Sequence, residues 1–388
     1  MAAGIGHTPI WMAGGGTSHV VALEVLINGP ISRSEIARSL ELSAGTLTRL
    51  TAPLIADGLL VETGELTGGH AGRPARLLDV VPGSHHFIGL KITADEVIGV
   101  VTDLRANVLA SGTLPLSDRT PEATVTVVGS LVRSLGDRVD AVTGIGVGIG
   151  GLIANSRRVI RAPFLQWNDV DLATLLEEET AIPTVIENDV TAFTEYEHWF
   201  GAARHCDRFA VVTLGAGLGY GLVASRRLVV SEDSGIGLVG HWPLDPFGPV
   251  CPSGHRGCAM SVLTQSAITS SASSSMGSAV RYDEVLEMAS AGVPAIRRIV
   301  DDAGLSLGHF LAAVANLTMP ELIVLGGEGV GLARVAHEAI QAGIAERRDP
   351  FSAPISLALT QGNNSEWCRG AAVIAIQTYV LGTKGHGT

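Results

Sequence analysis

The hydrophobic and polar positions of the first sixty residues predict three short helices separated by tight turns. Residues 19–28 form an apolar segment that ends at Asn28-Gly29-Pro30, where the proline cannot continue a helix. The segment Ser32-Arg33-Ser34-Glu35 has the spacing of a capping box and starts the second helix. Ser43 is a natural N-cap for a third helix, which continues to a stop at Gly58. We therefore expect a compact three-helix segment.

A turn-rich segment follows these helices and predicts a hairpin. Two short apolar runs, at residues 59–61 and 76–78, flank the glycine-containing residues 67–74. Three helices and a hairpin are typical of a winged helix-turn-helix, which we assign to residues 19–82, after a tail of residues 1–18. In that fold the third helix enters the major groove by its N-terminal end, and the hairpin tip is a wing. The predicted DNA contacts are Ser43, Thr46, Thr48, Arg49 and, in the wing, Arg73.

The charge of this N-terminal segment favours an alternative reading. Up to Pro82 it contains five arginines and no lysine against seven acidic residues. Domains that bind DNA by charge alone are basic, and this one is not. A protein-docking module of three helices and a hairpin is therefore the alternative to a DNA-binding domain.

From residue 87 the pattern changes to apolar strands, and the same arrangement occurs twice. The strand-like runs are residues 87–90, 97–101 and 108–110, and then residues 209–212 and 221–223. Each group opens with a strand hairpin around a turn of the size that holds a phosphate. Two such lobes predict the α/β fold of the actin-like, ribonuclease H-like ATPases. We place the first lobe at about residues 83–190 with a C-terminal helix at 370–388, and the second at about 191–369.

Composition is consistent with a large folded α/β protein. Of the 388 residues, 46% are hydrophobic and 16% charged, and 48 are glycine, so two or three domains are expected. The formal net charge of -12 repels phosphate, so any nucleic-acid contact has to be local. The four scattered cysteines do not form a disulfide framework, and the first eighteen residues contain neither Lys nor Arg. We expect a cytoplasmic protein without a secretory signal.

A group of residues in the second half of the chain resembles a known family. Gly240-His241, Cys251 and Gly254-His255-Arg256-Gly257-Cys258 follow Glu187-Asn188-Asp189 along the sequence. Together they resemble the metal-and-sugar segment of the ROK family, named for repressors, open reading frames and kinases. The resemblance implies that residues 83–388 form a ROK domain behind the winged helix-turn-helix.

The resemblance also implies a ligand site formed by Asn188, Asp189, His241 and Trp167. Asp189 would accept a hydrogen bond from a sugar hydroxyl, Asn188 would hold neighbouring hydroxyls, and Trp167 would cover an apolar sugar face. A helix cap at Asn188 or Asp189 and a core position for Trp167 are the alternatives. Two family carboxylates are replaced by Leu238 and Met260. The expected ligand is therefore a less polar, differently substituted or phosphorylated sugar, or there is none.

The same segment implies a zinc site. His241, Cys251 and Cys258 keep the spacing of the family's ligands, but Ser253 stands where the family has another cysteine. Structural zinc has four nitrogen or sulfur ligands, and serine is a poor one. His255, in the same loop, is the candidate replacement. The alternative is a pair of free buried thiols beside a hydrogen-bonded histidine.

The first phosphate loop argues against kinase chemistry. ROK kinases have Asp-x-Gly-Gly-Thr here, whereas this chain has Lys91-Ile92-Thr93-Ala94-Asp95. A lysine cannot ligate Mg²⁺, and Asp95 would face phosphate oxygens. We therefore expect no bound ATP and no enzymatic activity. The glycine turns at residues 215–221 and 326–327 resemble the second phosphate turn and the adenosine-side turn of the family, and tight turns beside packed strands are the alternative.

These observations predict a DNA-binding transcriptional regulator, a repressor of carbohydrate-related genes that responds to a sugar or sugar derivative. The expected partners are a double-stranded DNA operator, a small carbohydrate-like effector and further copies of the chain in a homodimer or homotetramer, with no membrane. An ATP-dependent sugar kinase with an appended DNA-binding domain is the alternative, favoured by Asp189 and the glycine turns. A scaffold that binds neither DNA nor sugar is a third class.

Overall fold

The computed structural model describes residues 16–66 and 75–382. The chain forms two compact units, one made of residues up to 200 together with those from 367 onward, and the other of residues 201–366. The sequence led us to expect the division near residues 190 and 370. Helix Asp189–Trp199 belongs to the first unit because it packs on two strands of that unit's main sheet. Within the described residues no helix is both long and apolar enough to cross a membrane.

The N-terminal part of the first unit consists of three helices and a three-stranded sheet. Its elements are α1 (Gly16–Asn28), β1 (Ile31–Ser32), α2 (Arg33–Ser39), α3 (Ala44–Ala56), β2 (Leu60–Leu66) and β3 (Ala75–Val80). The strands pair antiparallel in the order β1-β3-β2. The three predicted helices are confirmed, and the hairpin strands are longer than predicted. We call the described residues up to 82 the head.

Both predicted helix starts in the head are present. Ser32 caps α2: its Oγ accepts from Glu35 N (3.2 Å), and Glu35 Oε2 accepts from Ser32 N (3.0 Å), which closes the capping box. Ser43 caps α3 by accepting from Thr46 N (3.1 Å). Beneath these helices lies a small core of buried side chains: Val21, Val25, Leu26, Ile36, Leu47, Leu60 and Leu78.

The rest of the first unit is built on a five-stranded sheet. Its elements are β4 (Phe87–Ile92), β5 (Glu96–Thr102), β6 (Val108–Pro115), α4 (Pro121–Gly136), β7 (Gly144–Ile149), β8 (Leu152–Ala154), β9 (Arg158–Ala162), β10 (Trp167–Val170), α5 (Leu172–Thr180), β11 (Thr184–Asn188) and α6 (Asp189–Trp199). The strand order is β11-β7-β4-β5-β6, with β7 and β11 parallel to β4. A small antiparallel sheet joins β8, β9 and β10. Apolar faces of α4 and α5 pack on the main sheet and form its core.

The second unit repeats this sheet. Its elements, together with the helix that follows them, are β12 (Phe209–Leu214), β13 (Leu218–Ala224), β14 (Arg227–Leu228), a 3-10 turn (Leu238–His241), α7 (Ala259–Leu263), α8 (Gln265–Met276), α9 (Tyr282–Ser290), α10 (Pro294–Thr318), β15 (Leu322–Gly326), α11 (Gly331–Val335), α12 (His337–Arg347), β16 (Leu357–Leu359) and α13 (Asn364–Ile376). The strand order β16-β15-β12-β13-β14 matches β11-β7-β4-β5-β6 position by position. The chain therefore has the duplicated α/β architecture that the repeated strand pattern predicted.

Helix α13 packs directly on the main sheet of the first unit. A Cβ atom added to Gly89 would overlap the carbonyl oxygen of Cys368, and one added to Gly146 would overlap that of Ala371. The two glycines are paired across β4 and β7. Their missing side chains let the backbone of α13 approach the sheet at van der Waals distance.

This close approach predicts a large effect of one methyl group. Gly146→Ala is expected to lower the free energy of unfolding by about 2–3 kcal/mol, because α13 has to move off the sheet. Urea denaturation followed by circular dichroism measures the change. Gly83→Ala is the control, since no atom lies within 4 Å of the added methyl group. Equal stability of the two variants would contradict the packing described.

Candidate functional site

The DNA contacts predicted on α3 lie at its N-terminal half. Ser43, Thr48 and Arg49 are exposed, and Thr46 is half-buried. The hydroxyls of Ser43 and Thr46 lie 2.9 Å apart within the cap, and Thr48 Oγ1 donates to the Ala44 carbonyl (2.9 Å). Arg49 differs from them, because its side chain has no hydrogen bond or ion pair with any residue that the structure describes. Arg73 lies outside the described residues.

Lys91 and Asp189 form an ion pair at the carboxyl ends of β4 and β11. Lys91 Nζ donates to Asp189 Oδ2, and the two side chains are 8% and 13% exposed. The ammonium lies 4.3 Å from the ring centre of Trp367, within cation–π range. The other carboxylate oxygen, Oδ1, accepts from Val190 N (2.9 Å). The carboxylate that the sequence assigned to ligand therefore has a positive partner within the protein.

Asn188 forms the N-terminal cap of α6. Its Oδ1 accepts from Val190 N (3.0 Å) and Thr191 N (3.1 Å), and its Nδ2 donates to the Gly151 carbonyl (3.0 Å). Both ends of the amide are thus used inside the protein, which is the capping alternative that the sequence left open. The cap holds Asp189 at the first turn of the helix.

Two aromatic residues of one loop have different surroundings from those expected. Trp167 is 4% exposed, lies in the core under α4 and α5, and donates from Nε1 to the Arg119 carbonyl (2.5 Å). Phe164, three residues earlier, is 49% exposed. The Cβ position of Gly150 lies 3.4 Å from Asp189 Oδ2 and 3.7 Å from Phe164 Cδ2. The exposed aromatic ring close to Asp189 is therefore that of Phe164.

The first phosphate loop, residues 91–95, is closed by side-chain hydrogen bonds. Thr93 Oγ1 accepts from Asp95 N (3.3 Å) and Glu96 N (3.1 Å). Arg119 donates to Asp95 Oδ1 (2.9 Å) and to the Ala94 carbonyl (2.7 Å). The backbone amides at this turn are directed at Thr93, so they are not free to cradle a phosphate.

The glycine turn after β12, which begins at Gly215, and the turn after β15 are held together by close backbone contacts. Gly329 N donates to the Leu214 carbonyl (2.7 Å), and a Cβ atom at Gly327 would overlap that same oxygen. The Glu328 carboxylate lies against the position that a Cβ atom of Gly215 would take. Its negative charge therefore faces the turn that the resemblance assigns to phosphate, which makes an anion at this position less favourable.

Three residues of the second unit form a group with metal-ligand chemistry. The donor atoms of His241, Cys251 and Cys258 all lie within 4.8 Å of one another, and His241 Nδ1 is 3.8 and 3.9 Å from the two sulfurs. Tetrahedral zinc, with Zn–S near 2.3 Å and Zn–N near 2.0 Å, separates such atoms by ~3.6 Å. The three side chains therefore fit zinc. His255 is outside this group, but its Nδ1 lies 3.8 Å from Cys251 Sγ.

The loop around Cys251 also favours a thiolate. Burial raises the pKa of the Cys251 thiol, but hydrogen bonds from the backbone of His255, Ser253 and Gly254 and from Cys258 lower it below its ordinary value. The turn is tight: Gly254 N donates to the Cys251 carbonyl (2.9 Å), and Gly254 has a φ of +86°. Thiolate is the form of cysteine that binds metals.

Comparison with known proteins identifies the family. The sequence profile of the ROK family matches residues 87–378. The chain belongs to the ROK family. The DNA-binding transcriptional repressor Mlc of Escherichia coli is 26% identical over 367 residues, which are 90% of this chain and 90% of that protein. The Xylose repressor of Bacillus spizizenii is 26% identical over 306 residues, which are 78% of this chain and 79% of the repressor.

Solved structures of ROK proteins have the same fold. A ROK family transcriptional regulator, a homologue of the E. coli Mlc protein, has a TM-score of 0.79 at 23% identity and covers 94% of this chain and 99% of its own. A ROK family glucokinase from Streptomyces griseus, in complex with glucose and AMPPNP, has a TM-score of 0.66 at 23% identity and covers 74% of this chain and 98% of its own. At these identities the likeness establishes the fold that ROK regulators and kinases share.

The structure describes both positions, Leu238 and Met260, at which the resemblance predicts that family carboxylates are replaced. Leu238 is exposed, at the start of the 3-10 turn that ends at His241. Met260 packs on Gly240, whose Cβ position lies 3.1 Å from Met260 Cε. Met260 therefore lies against the 3-10 turn, and Leu238 exposes apolar surface at the start of the same turn.

Three parts of the site were missed from the sequence: the Lys91–Asp189 pair, the exposed ring of Phe164 and the carboxylate of Glu328. One signal was available. The chain has only two lysines, and Lys91 stands in a wholly apolar strand. A buried lysine needs a negative partner, so this position predicts a carboxylate nearby, although the sequence does not say which one.

Glu187 was also missed, although it adjoins Asn188 and Asp189. Its side chain is buried, and its Oε1 accepts from Asn188 N (2.8 Å). Burial raises the pKa of Glu187 to about 7, the hydrogen bond from Asn188 acts against this, and the neighbouring Glu195 raises it further. A carboxyl group next to the predicted ligand residues thus changes charge near neutral pH.

The raised pKa makes stability depend on pH. The folded value of about 7 exceeds the ordinary 4.5, so the stabilisation from neutral Glu187 is complete below pH 4.5 and is lost as the pH rises through 7. Glu187→Gln should match the native chain at pH 4.5 and be more stable by about 3 kcal/mol at pH 8. Urea unfolding at both pH values tests this. The exposed Glu178→Gln is the control, and parallel pH profiles for native and Glu187→Gln chains would refute the prediction.

Proposed function

We propose that this chain is a DNA-binding transcriptional regulator, a repressor of carbohydrate-related genes, whose ROK domain binds a sugar or sugar derivative and does not transfer phosphate. The Lys91–Asp189 pair carries this proposal. In a sugar kinase the carboxylate has to take a proton from the sugar hydroxyl, and an ammonium bound to it opposes that step. A hydrogen bond from a ligand hydroxyl to the same carboxylate remains possible in a regulator.

Two further contacts support a regulator without ATP. The hydrogen bonds of Thr93 and Arg119 use the backbone of the first phosphate loop. The Glu328 carboxylate lies beside Gly215, at the glycine turn that follows β12. Phosphoryl transfer depends almost entirely on positioned positive charge and backbone donors, so both features oppose it.

The proposed ligand has hydroxyl groups and an apolar face. Asp189 offers a carboxylate, Phe164 an exposed ring close to it, and Leu238 and Met260 replace charged side chains by apolar ones. An aromatic ring packs well on the C–H face of a pyranose, while the carboxylate binds its hydroxyls. Asn188 and Trp167 support this part of the first unit from the cap of α6 and from the core, and His241 stays in the proposed set of ligand residues. The relatives include repressors named for xylose and for N-acetylglucosamine.

The proposed DNA contact is made by α3. Its N-terminal half presents Ser43, Thr46, Thr48 and Arg49, and Arg73, outside the described residues, stays in the proposed set. Because the chain is acidic overall, a few placed contacts have to supply both affinity and register. We propose that the regulator acts in the cytoplasm as a homodimer or homotetramer on a palindromic operator.

Arg49 provides the test of this function. An operator is first obtained by selection from a random pool of double-stranded DNA. Arg49→Ala should then weaken binding about 10- to 100-fold, because an arginine contact to a base contributes about 1–3 kcal/mol. Mobility shift at several salt concentrations measures the loss.

Arg227→Ala is the matched control, since it removes an equally exposed arginine from β14 of the second unit. Its affinity for the operator should equal that of the native chain. Failure to enrich any DNA sequence would contradict the regulator. ATP-dependent phosphorylation of hexoses or amino sugars by the native chain would establish the kinase alternative instead.

We also propose that His241, Cys251, Cys258 and His255 hold a structural zinc ion in the second unit. Three of these donors have the mutual distances that zinc requires, and His255 adjoins them at Cys251. When bound, the ion would cross-link the loop of residues 241–258. A rotation of the exposed His255 side chain completes a shell of two sulfurs and two nitrogens.

Metal content tests this assignment. The purified native chain should contain one zinc per chain, Cys258→Ser should contain almost none, and His255→Ala should retain zinc with an affinity lowered about 10- to 100-fold. Cys206→Ser, outside the loop, is the control. Competition with a chromogenic chelator measures the affinities. Unchanged zinc in Cys258→Ser would exclude this site, and an unchanged affinity in His255→Ala would exclude His255 as the fourth ligand.

A further inference from the structure

Helix α6 carries Asp189 at one end and a contact to α13 further along. Tyr196 is seven residues after Asp189, nearly two helical turns, so both side chains lie on the same face. Tyr196 is buried, and the guanidinium carbon of Arg369 lies 4.4 Å from the centre of its ring. A movement of α6 that alters Asp189 therefore also moves the surface on which Arg369 rests.

The two helices are packed backbone to backbone at this point. A Cβ atom at Gly370 would lie 2.8 Å from the backbone of Ala192, so no side chain separates α13 from α6. The Phe193 and Trp367 rings meet with centres 5.0 Å apart. Such close contact leaves little freedom for one helix to move without the other.

Arg369 also reaches the turn between β5 and β6. Its Nε donates to the Ala106 carbonyl (2.8 Å). This turn is rigid, because the Asp103 carboxylate accepts from Arg105 N (2.8 Å), Asn107 N (3.0 Å) and Asn107 Nδ2 (3.0 Å). One guanidinium therefore contacts α6 through its face and the turn through its edge.

The same turn holds the head. Arg105 Nη2 donates to Asp79 Oδ1 on β3 (2.5 Å) and to the Val25 carbonyl near the end of α1 (3.1 Å). The Arg105 and Asp79 side chains are 18% and 15% exposed, so the pair is largely shielded from solvent. A Cβ atom at Gly29 would lie 2.5–2.8 Å from Val25 O, Arg105 Nη2 and Asp79 Oδ1, so only glycine fits there.

We propose that Arg369 and Arg105 are positioning residues that connect the helix carrying Asp189 to the DNA-binding head. The connection runs from Asp189 along α6 to Tyr196, across Arg369 to Ala106, and from Arg105 to Asp79 and Val25. A change at Asp189 then alters the orientation of α1 and β3, and with them the helix α3 that packs on α1. This rests on the proposed function, for which it supplies the route of regulation.

If Arg105 and Arg369 had only a structural role, their substitution would have a different effect. If Arg105 only fastened the head and Arg369 only fastened α13, each substitution would loosen its own contacts and nothing beyond them. Coupling between two sites is reciprocal, so a connected path requires an effect at the far end from either side. The test therefore has to read both ends of the path in the full-length protein.

Hydrogen exchange of backbone amides measures the effect at both ends of the path, and it requires neither DNA nor sugar. In Arg369→Gln, exchange should accelerate about tenfold in the head at residues 25–29, although Arg369 has no hydrogen bond or ion pair with the described residues of the head. In Arg105→Gln, exchange should accelerate similarly in α6 near Asp189. The double variant should show less than the product of the two effects. Changes confined to the turn and α13 in the first variant, and to the head in the second, would overturn the proposal.

Two further variants keep the result interpretable. Arg369→Lys retains a cation over Tyr196 but loses the Nε hydrogen bond to Ala106, so it should transmit the effect only partly even if Arg369→Gln does not fold. Arg133→Gln, which breaks an ion pair with Glu179 between α4 and α5, is the control and should leave the head unchanged. Arg49→Ala should keep the coupling intact while losing DNA affinity, so a failure of DNA binding and a failure of this connection are distinguishable.

Discussion

The ion pair between Lys91 and Asp189 is the interaction on which the site depends. Two charges with so little exposure are tolerable only together, and loss of one partner leaves the other uncompensated at a cost of about 3–5 kcal/mol. The pair joins β4 to the start of α6, and Trp367 of α13 lies against the ammonium. Three elements of the first unit therefore meet at one buried contact. A ligand hydroxyl that binds Asp189 has to share the carboxylate with Lys91.

The sequence predicted the features that depend only on nearby residues in the chain, such as helix caps. The caps at Ser32 and Ser43 follow from residues three positions apart, and the helices of the head are present as expected. It could not assign the two aromatics of one loop, because burial of Trp167 and exposure of Phe164 are decided by packing against α4 and α5. The partner of Lys91 is 98 residues away, and its identity depends on the pairing of strands across the sheet.

The glycine turns after β12 and β15 have a packing role that does not depend on a bound phosphate. Gly215, Gly327 and Gly329 allow close contact between the end of β12 and the turn after β15, and that contact is needed whether or not a phosphate binds. A substitution there damages the fold, so such glycines are retained for packing. Asp95 and Glu328 are free of this constraint, because their exposed side chains can change without moving the backbone. The informative positions for kinase chemistry are therefore the charged ones between the glycines.

The position of α13 explains how a sensor can share a unit with a DNA-binding head. The covalent connection from β3 to β4 is a short turn at Pro82–Ser84, whose peptide bonds alone do not determine an orientation. Orientation comes instead from Arg105, with Leu104 N donating to the Pro82 carbonyl (3.0 Å). Because α13 lies on glycines of β4 and β7, touches Lys91 through Trp367 and reaches the Arg105 turn through Arg369, it contacts the site and the support of the head at once.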